Sequence, residues 1–271
     1  MGIVNINDDS FCGDGTLDIS SALHLAEYQI AQGADIIDIG AESARTNRVA
    51  ISEEEECTRI QPFMEQWESV LSRCSPLDDV QTWPPLLSVN TWRSPVVAHA
   101  VKLGAEIIND ISGLPTADNA ALCAHSDAAL IIMHSIGQPK VPHTHVTYGN
   151  VMEDMHRFFT DKIALAKRAG LADDHIILDP GIDFAKQRDD NLTVYRELQR
   201  LQHFGMPILL PVSRKTVIHH VLDQPDPTQR DPGTVASMVA GTLRGAHIMR
   251  VHNVTAAVQT AQIVHACAPV A

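Results

Sequence analysis

The sequence is poor in the residues and segments that several protein classes require. It has only 5 cysteines, an odd number with no CxxC pair, which favours reduced thiols over a disulfide framework or a zinc site. Its 14 histidines include no HExxH spacing, so a histidine-rich metal centre is not expected. No stretch is long and apolar enough to span a bilayer, and the opening MGIVNINDDSF lacks the basic and apolar regions of a signal peptide. We therefore expect a cytoplasmic protein.

Positive charge is also scarce. The chain carries 20 Lys and Arg against 33 Asp and Glu, which gives a formal net charge of -13. Nucleic acids and anionic membranes are bound through basic surfaces, so we expect neither as a partner. A small anionic ligand remains compatible with this composition, because a few Arg and Lys side chains can reverse the sign of the potential inside one pocket.

Short apolar runs alternate with amphipathic stretches along the chain. The predicted strands are 2–6, 36–39, 86–89, 107–111, 128–133, 176–178, 208–212 and 248–251. The predicted helices are 20–32, 52–71, 95–103, 117–125, 152–169, 192–201, 233–244 and 254–267. Continuous β-branched runs are typical of parallel strands that are buried on both faces. Eight such units favour an α/β fold with a single (β/α)8 TIM barrel over residues 1–271, and an open doubly wound sheet is the alternative.

Three similar segments mark the junction where a helix ends and a strand begins. They are GADIIDIGAESAR from Gly33, GAEIINDISG from Gly104 and GAHIMRVHN from Gly245. Catalytic groups of a TIM barrel project from the carboxyl ends of its strands. The polar residues that close the three runs are therefore site candidates: Asp38, Asn109 with Asp110, and Arg250 with His252.

Polar residues follow the other strands as well. They are Asn5, Asn90, Thr91, His134, Asp179, Ser213, Arg214 and Lys215, and the loop after the second strand adds Glu42, Ser43 and Arg45. One set, Asn90, Asn109 and Asp179, suits the hydrogen-bonding edge of a flat heterocycle. Another suits phosphate oxygens: Arg45, Ser213, Lys215, Arg250 and His252. Asn5 offers a neutral oxygen for Mg2+, so these residues indicate an enzyme that acts on a heterocyclic phosphate ester.

The order of these motifs resembles that of the dihydropteroate synthase family over essentially the whole chain. The matching blocks are MGIVNxxxDSF at 1–11, GADIIDIGxES at 33–43, GAEIINDISG at 104–113, IILDPGIxFxK at 176–186, SRK at 213–215 and RVH at 250–252. The resemblance implies a transferase of folate biosynthesis. Such an enzyme condenses 6-hydroxymethyl-7,8-dihydropterin diphosphate with p-aminobenzoate to give 7,8-dihydropteroate and diphosphate. It also implies a homodimer.

The resemblance further assigns roles to individual residues. The pterin side is implied for Asn109, Asp179 and Lys215, with an Asp of the family at the place of Asn90. The diphosphate side is implied for Arg45, Arg250 and His252, with Asn5 acting together with Mg2+. The arylamine side is implied for Phe184 and the turn 213–215, which includes Ser213. The catalytic set is Asp179, Lys215, Arg250 and His252.

Several positions depart from the family pattern. Asn90 replaces an Asp, Ala44 and Thr46 replace a Thr and a Pro, and Asp183 and Ala185 replace two glycines. The loop Asp that the family uses with Mg2+ is displaced, and Asp14 is the candidate for its role. Ala44, Thr46 and Asp183 predict weaker inhibition by sulfonamides. The departures also leave a second hypothesis open, a pterin-binding paralogue without synthase activity. A folate-dependent methyltransferase is disfavoured, because a methylated folate has no diphosphate for the cations to bind.

Overall fold

The computed structural model describes residues 1–8, 13, 15–44, 46, 48–142 and 146–268. Its strands are β1 (Gly2–Asn5), β2 (Ile36–Gly40), β3 (Leu86–Asn90), β4 (Ile107–Asp110), β5 (Ala129–Met133), β6 (Ile176–Asp179), β7 (Leu209–Pro211) and β8 (Ile248–Arg250). Its α-helices are α1 (Ile19–Ala31), α2 (Glu53–Met64), α3 (Trp67–Arg73), α4 (Ser94–Lys102), α5 (Asp118–Ser126), α6 (Val151–Arg168), α7 (Arg188–Glu197), α8 (Thr216–Leu222), α9 (Asp231–Thr242) and α10 (Val254–Ala266). Within this described part, no helix is both long and apolar enough to cross a membrane.

The eight described strands close into a barrel. β1 to β6 pair in parallel with their neighbours in chain order, and β7 pairs in parallel with β8. A parallel bridge from Leu178 to Ile208 joins β6 to the start of β7, and one from Gly2 to Val251 joins β1 to the end of β8. The amide of Ile3 completes the second seam by donating to the Val251 carbonyl at 3.1 Å. The predicted (β/α)8 TIM barrel is confirmed.

Two predicted helices differ from those observed. The helix predicted over 52–71 is broken into α2 and α3, because Gln66 leaves helical geometry at φ -101° and ψ 1°. The break lets α3 bury Trp67 and Val70. The helix predicted over 192–201 instead begins at Arg188, and its last part winds as a 3-10 helix.

The prediction also missed α8, which carries His219 and His220 in its last turn. The helix has only seven residues, too few for the apolar periodicity of a helix to show in the sequence.

The inner face of the barrel changes from apolar to polar along the strands. Because side chains alternate between the two faces of a strand, every second residue points into the barrel. Near the amino ends this inner face is an apolar layer of Met1, Ile36, Leu86, Ile107, Ile131, Ile177, Leu209 and Ile248. Two residues further along four of these strands come Asp38, Ser88, Asn109 and Asp179. The outward side chains pack in a separate core against the helices. The apolar layer thus forms a floor beneath a polar layer.

The apolar floor predicts a strong dependence of stability on Ile131, which is fully buried in that layer. Ile131→Ala should lower the free energy of unfolding by about 2–5 kcal/mol, and Ile131→Val by about 0.5–1.5 kcal/mol, because each leaves a cavity of different size. Urea denaturation measures both. Ile263→Ala on the exposed face of α10 is the control and should change stability by less than about 0.5 kcal/mol. Equal effects at 131 and 263 would contradict the assignment of the floor.

Candidate active site

A cavity of about 550 Å3 opens at the carboxyl ends of the strands. Every described residue to which the family resemblance assigned a role lines it: Asn5, Asn90, Asn109, Asp179, Phe184, Ser213, Lys215, Arg250 and His252. Arg45 and Asp14 lie outside the described residues. Residues far apart in sequence meet here because the carboxyl ends of parallel barrel strands share one face.

Asp38 supports this cavity from below. Its carboxylate is buried on the inner face of β2 and accepts hydrogen bonds from side chains of three other strands. These bonds come from Ser88 Oγ at 2.6 Å, Asn109 Nδ2 at 3.2 and 3.3 Å to the two oxygens, and Arg250 Nε at 2.7 Å. The sequence marked Asp38 only as a polar residue at a strand end, and the family resemblance assigned it no role. The structure shows that it holds two of the predicted site residues.

Asp179 provides a second buried carboxylate, at the end of β6. Its Oδ1 accepts a hydrogen bond from the Gly181 amide at 2.6 Å. Burial raises the pKa of Asp179 to about 6, although the cations of Lys215, Lys186 and Arg250 act in the other direction. A side chain at Gly181 would collide with the carbonyl oxygen of His134, and its φ of +64° also suits glycine. This glycine therefore lets the backbone turn back toward the carboxylate.

The basic residues of the site follow the last two strands. His252 Nδ1 and Ser213 Oγ share a hydrogen bond of 2.7 Å, and the backbone amide of His252 donates to the same hydroxyl at 3.2 Å. Lys215 Nζ donates to the carbonyl of Ile182 at 3.0 Å and lies 5.0 Å from the centre of the Phe184 ring. His252 follows β8, which neighbours β1, and lines the same cavity as Asn5.

The loop between β6 and α7 holds two residues other than glycine in a backbone conformation that favours glycine. Asp183 has φ +67° and Ala185 has φ +50°, both in the left-handed region. The Asp183 carboxylate accepts from the amides of Thr216 and Val217 at the start of α8, and from Asn191 Nδ2 at 3.1 Å. The new acid thus lines the cavity but is engaged by the protein itself.

Lys186 braces the same loop from inside. Its Nζ donates to the carbonyl oxygens of His134, Gly181 and Phe184 at 3.1, 3.0 and 3.2 Å. Burial lowers the pKa of Lys186 to about 7, and the nearby Asp179 carboxylate opposes that shift. Its three carbonyl contacts make Lys186 a support of the loop rather than a cation of the cavity.

Three of the polar residues that follow strands face away from the cavity. Asp110 accepts from Ser112 and from Asn119 Nδ2, at 2.9 Å for the latter, on the helix side of the barrel, and burial raises its pKa. His134 packs edge-on against Phe158, and burial lowers its pKa to about 2, so it stays neutral. Thr91 is buried beside Glu56. The prediction that Asp110 and His134 contribute side chains to the cavity was wrong. Each directly follows a residue that faces inward, Asn109 or Met133, and so points to the other side.

A network of buried charges beside the cavity was not predicted. Arg93 pairs with Glu42 at 2.7 Å and also with Glu56, and Lys140 lies 3.3 Å from Glu42. Lys140 Nζ also donates to the Ser43 carbonyl at 2.9 Å. The network ties together the loops that follow β2, β3 and β5. The only sequence signal for this network is Glu42 in the GAES block. Its partners Arg93 and Lys140 lie in loops, where no periodic pattern of apolar residues indicates their positions.

The whole chain resembles enzymes that act on pterins. The pterin binding enzyme family matches residues 1–252. A dihydropteroate synthase of Synechocystis is 36% identical over 268 residues, which cover 98% of this chain and 89% of that protein. The crystal structure of Yersinia pestis dihydropteroate synthase in complex with a sulfonamide drug is similar with a TM-score of 0.87 and 35% identity, covering 98% of this chain and 92% of that one. The dihydropteroate synthase structure from Clostridium difficile, obtained in the presence of pteroic acid, gives a TM-score of 0.85 at 33% identity and covers 98% and 95% of the two chains.

The buried carboxylate predicts a pH dependence of stability. Above pH 6 Asp179 is ionised in the folded protein despite its burial, whereas below that value it is protonated. Its pKa is higher in the folded than in the unfolded state, so its contribution to stability falls as the pH rises through the range from about 4 to 6. Asp179→Asn should therefore stabilise the protein more at pH 7.5 than at pH 4.5, by roughly 1–3 kcal/mol. Urea denaturation at both pH values measures the difference, and the same effect at both would refute the raised pKa.

Proposed function

Since the chain belongs to the pterin-binding enzyme family, we propose that it works as a dihydropteroate synthase. It condenses 6-hydroxymethyl-7,8-dihydropterin diphosphate with p-aminobenzoate to give 7,8-dihydropteroate and diphosphate, and is thus a transferase of folate biosynthesis. The observation that carries this proposal is the meeting of two chemical sets in one cavity. Amides and a carboxylate suit a flat ring, and cations suit its phosphate tail.

The pterin ring is assigned to the amide and carboxylate set. Asn109 Oδ1 is buried and has no hydrogen-bond partner within the described protein. A buried acceptor that makes no hydrogen bond costs free energy, so this atom favours a ligand that brings an N–H donor. Asp179 adds a second acceptor suited to an adjacent N–H and amine of the ring. Lys215 and Asn90, which line the same cavity, complete the proposed ring contacts.

The diphosphate is assigned to Arg250, His252 and Ser213, together with Arg45, which lies outside the described residues. Among the residues that are described, no group of three or more His, Cys, Asp or Glu is placed to hold a metal ion. Mg2+ needs only one or two protein oxygens when substrate phosphates supply others, so the neutral oxygen of Asn5 in the cavity wall fits this use. When bound, Mg2+ would neutralise charge on the leaving diphosphate.

The reaction follows from these charges. The bond between the pterin methylene carbon and the diphosphate oxygen breaks, and the diphosphate leaves with the electron pair. Arg250 stabilises the departing anion as a fixed positive charge, and His252 lines the same cavity as a further hydrogen-bonding group. The amine of p-aminobenzoate attacks the cationic carbon and then gives up one proton, which the diphosphate can accept. A neutral aromatic amine is already a nucleophile, so this site requires no general base. Phe184 and the turn 213–215 form the proposed arylamine side.

We also propose a location, an oligomeric state and a class of partners for the enzyme. We place it in the cytoplasm as a homodimer in which residues 1–271 form one domain, with small-molecule substrates and neither nucleic acid nor membrane as a partner.

The direct test supplies dihydropterin diphosphate, p-aminobenzoate and Mg2+ and measures dihydropteroate and released diphosphate. Asp179→Asn and Lys215→Ala should lose most turnover, whereas Glu68→Gln on the exposed side of α3 should retain it. Absence of turnover while calorimetry shows that the pterin substrate binds would support the non-catalytic paralogue instead, for which Asn90 is the motivating residue. Binding of methyltetrahydrofolate without binding of diphosphate would favour the methyltransferase.

Asn90 predicts a gain of function. It removes a negative charge that would face the developing cation, and a single electrostatic group of this kind is worth on the order of 10²–10³ in rate. Asn90→Asp should therefore raise kcat, measured by diphosphate release, with the Kd for the pterin substrate little changed. Asn90→Ser, which also lacks the charge, should not raise kcat. A wild type that is as fast as Asn90→Asp would show that the charge is dispensable here.

The altered loop after β2 predicts weak inhibition by sulfonamides. Ala44 and Thr46 line the cavity, where the family has a hydroxyl and a rigid ring. The wild type should bind a sulfonamide more weakly than a related synthase assayed in parallel, and Ala44→Thr combined with Thr46→Pro should tighten the inhibition constant. Inhibition of the wild type as tight as that of the relative would contradict this.

A further inference from the structure

Asp38 is not part of the cavity wall, yet it binds two residues that are. We propose that Asp38 is the positioning residue of the site, which sets the direction of the Asn109 amide and holds the guanidinium of Arg250. The proposal deepens the synthase assignment and rests on it for the identity of the ligand. The contacts of Asp38 with Asn109 and Arg250 belong to the protein alone, so their role can be tested without any ligand.

The direction of the Asn109 amide follows from the chemistry of its partner. A carboxylate only accepts hydrogen bonds, so the side chain of Asn109 must turn its Nδ2 group toward Asp38. Both Asp38 oxygens lie within 3.3 Å of that nitrogen. The Oδ1 atom of Asn109 consequently becomes the buried acceptor without a protein partner. Without Asp38, the amide could rotate by half a turn and offer a donor in place of that acceptor.

Arg250 is fixed by the same carboxylate. Its Nε donates to Asp38 Oδ2 at 2.7 Å, and the carboxylate is fully buried while the guanidinium is about one-fifth exposed. The bond uses Nε, so Asp38 does not engage the two terminal nitrogens of the guanidinium. A guanidinium that is held at one edge keeps a fork of donors in a fixed orientation for an anion. Asp38 thus sets the cationic group as well.

Asp38 itself is held in place by Ser88. The hydroxyl of Ser88 is fully buried and donates to Asp38 Oδ1 at 2.6 Å. One carboxylate therefore connects β2 with β3, β4 and β8. It links the residue proposed for the ring of the substrate to the residue proposed for its diphosphate. A change at this position should therefore affect both halves of the substrate, although the side chain touches neither.

The ligand-free test uses the side-chain amide protons of Asn109. In the wild type they should exchange slowly with solvent, because they are buried and donate to Asp38. Asp38→Ala, which removes the acceptor, should abolish that protection, whereas Ser88→Ala should preserve most of it. Nuclear magnetic resonance measures both, with backbone spectra as the check that each variant is folded. Equal exchange in the wild type and in Asp38→Ala would overturn the proposal, whatever reaction the enzyme performs.

The ligand test uses 6-hydroxymethylpterin, which carries the ring without diphosphate, in calorimetry. Asp38→Asn should weaken its binding roughly 10- to 100-fold, the range for one lost hydrogen bond to a buried group. Asn109→Asp should also weaken binding, because it buries two carboxylates together. The double variant Asp38→Asn with Asn109→Asp restores a donor facing an acceptor, and should recover most of the ring affinity.

The double variant should still bind the diphosphate ester poorly, because Arg250 has lost its anionic partner in the new arrangement. A merely structural role for Asp38 predicts no recovery of ring affinity, and that result would count against the proposal. So would a change of less than about threefold in Asp38→Asn. If the wild type bound no pterin at all, the synthase assignment would fail, while the exchange experiment would still decide the role of Asp38.

Discussion

The alternation of side chains along each strand is the constraint on which the site depends. Within a closed parallel barrel, a residue either faces the interior or packs against the helices, and its neighbour does the opposite. Asn109 and Asp110 are adjacent polar residues on β4, yet the first lines the cavity and the second bonds Asn119 of α5 outside the barrel. The inner face is apolar at one end and polar at the other. The alternation of side chains along the strands therefore places one set of residues in the packed core and another in the binding cavity.

Charge is buried in and beside the cavity in groups of opposite sign. Asp38 is paired with Arg250, and the two carboxylates of Glu42 and Glu56 share Arg93, with Lys140 also near Glu42. A buried charge is tolerated only when partners and hydrogen bonds replace its water. Such pairs restrict each side chain to one geometry, which is what a site that stabilises transient charge needs. The same ion pairs therefore offset the cost of burying the charges and fix the geometry of the site.

The barrel, its strands and the residues at their ends could be predicted because short apolar runs and glycine junctions are local signals. The direction of a side chain at a strand end could not, since the apolar pattern stops there and an error of one residue reverses the face, as for His134. Arg93 and Lys140 could not be predicted either, because their partners lie in other loops. For Asp183 the sequence suggested either a new backbone geometry or an acid at the arylamine edge. The structure retains the left-handed backbone and bonds the acid to α8.

The loop between β6 and α7 owes its shape to contacts rather than to its own residues. Asp183 binds amides about thirty positions later, at the start of α8, and Lys186 reaches back to the carbonyl of His134 at the end of β5. These partners follow β5 and β7, the two strands on either side of β6. The loop therefore holds this shape only when all three strands are in place. A fragment that ended after α7 would carry every residue of this loop and still lack the amides at the start of α8 that hold Asp183.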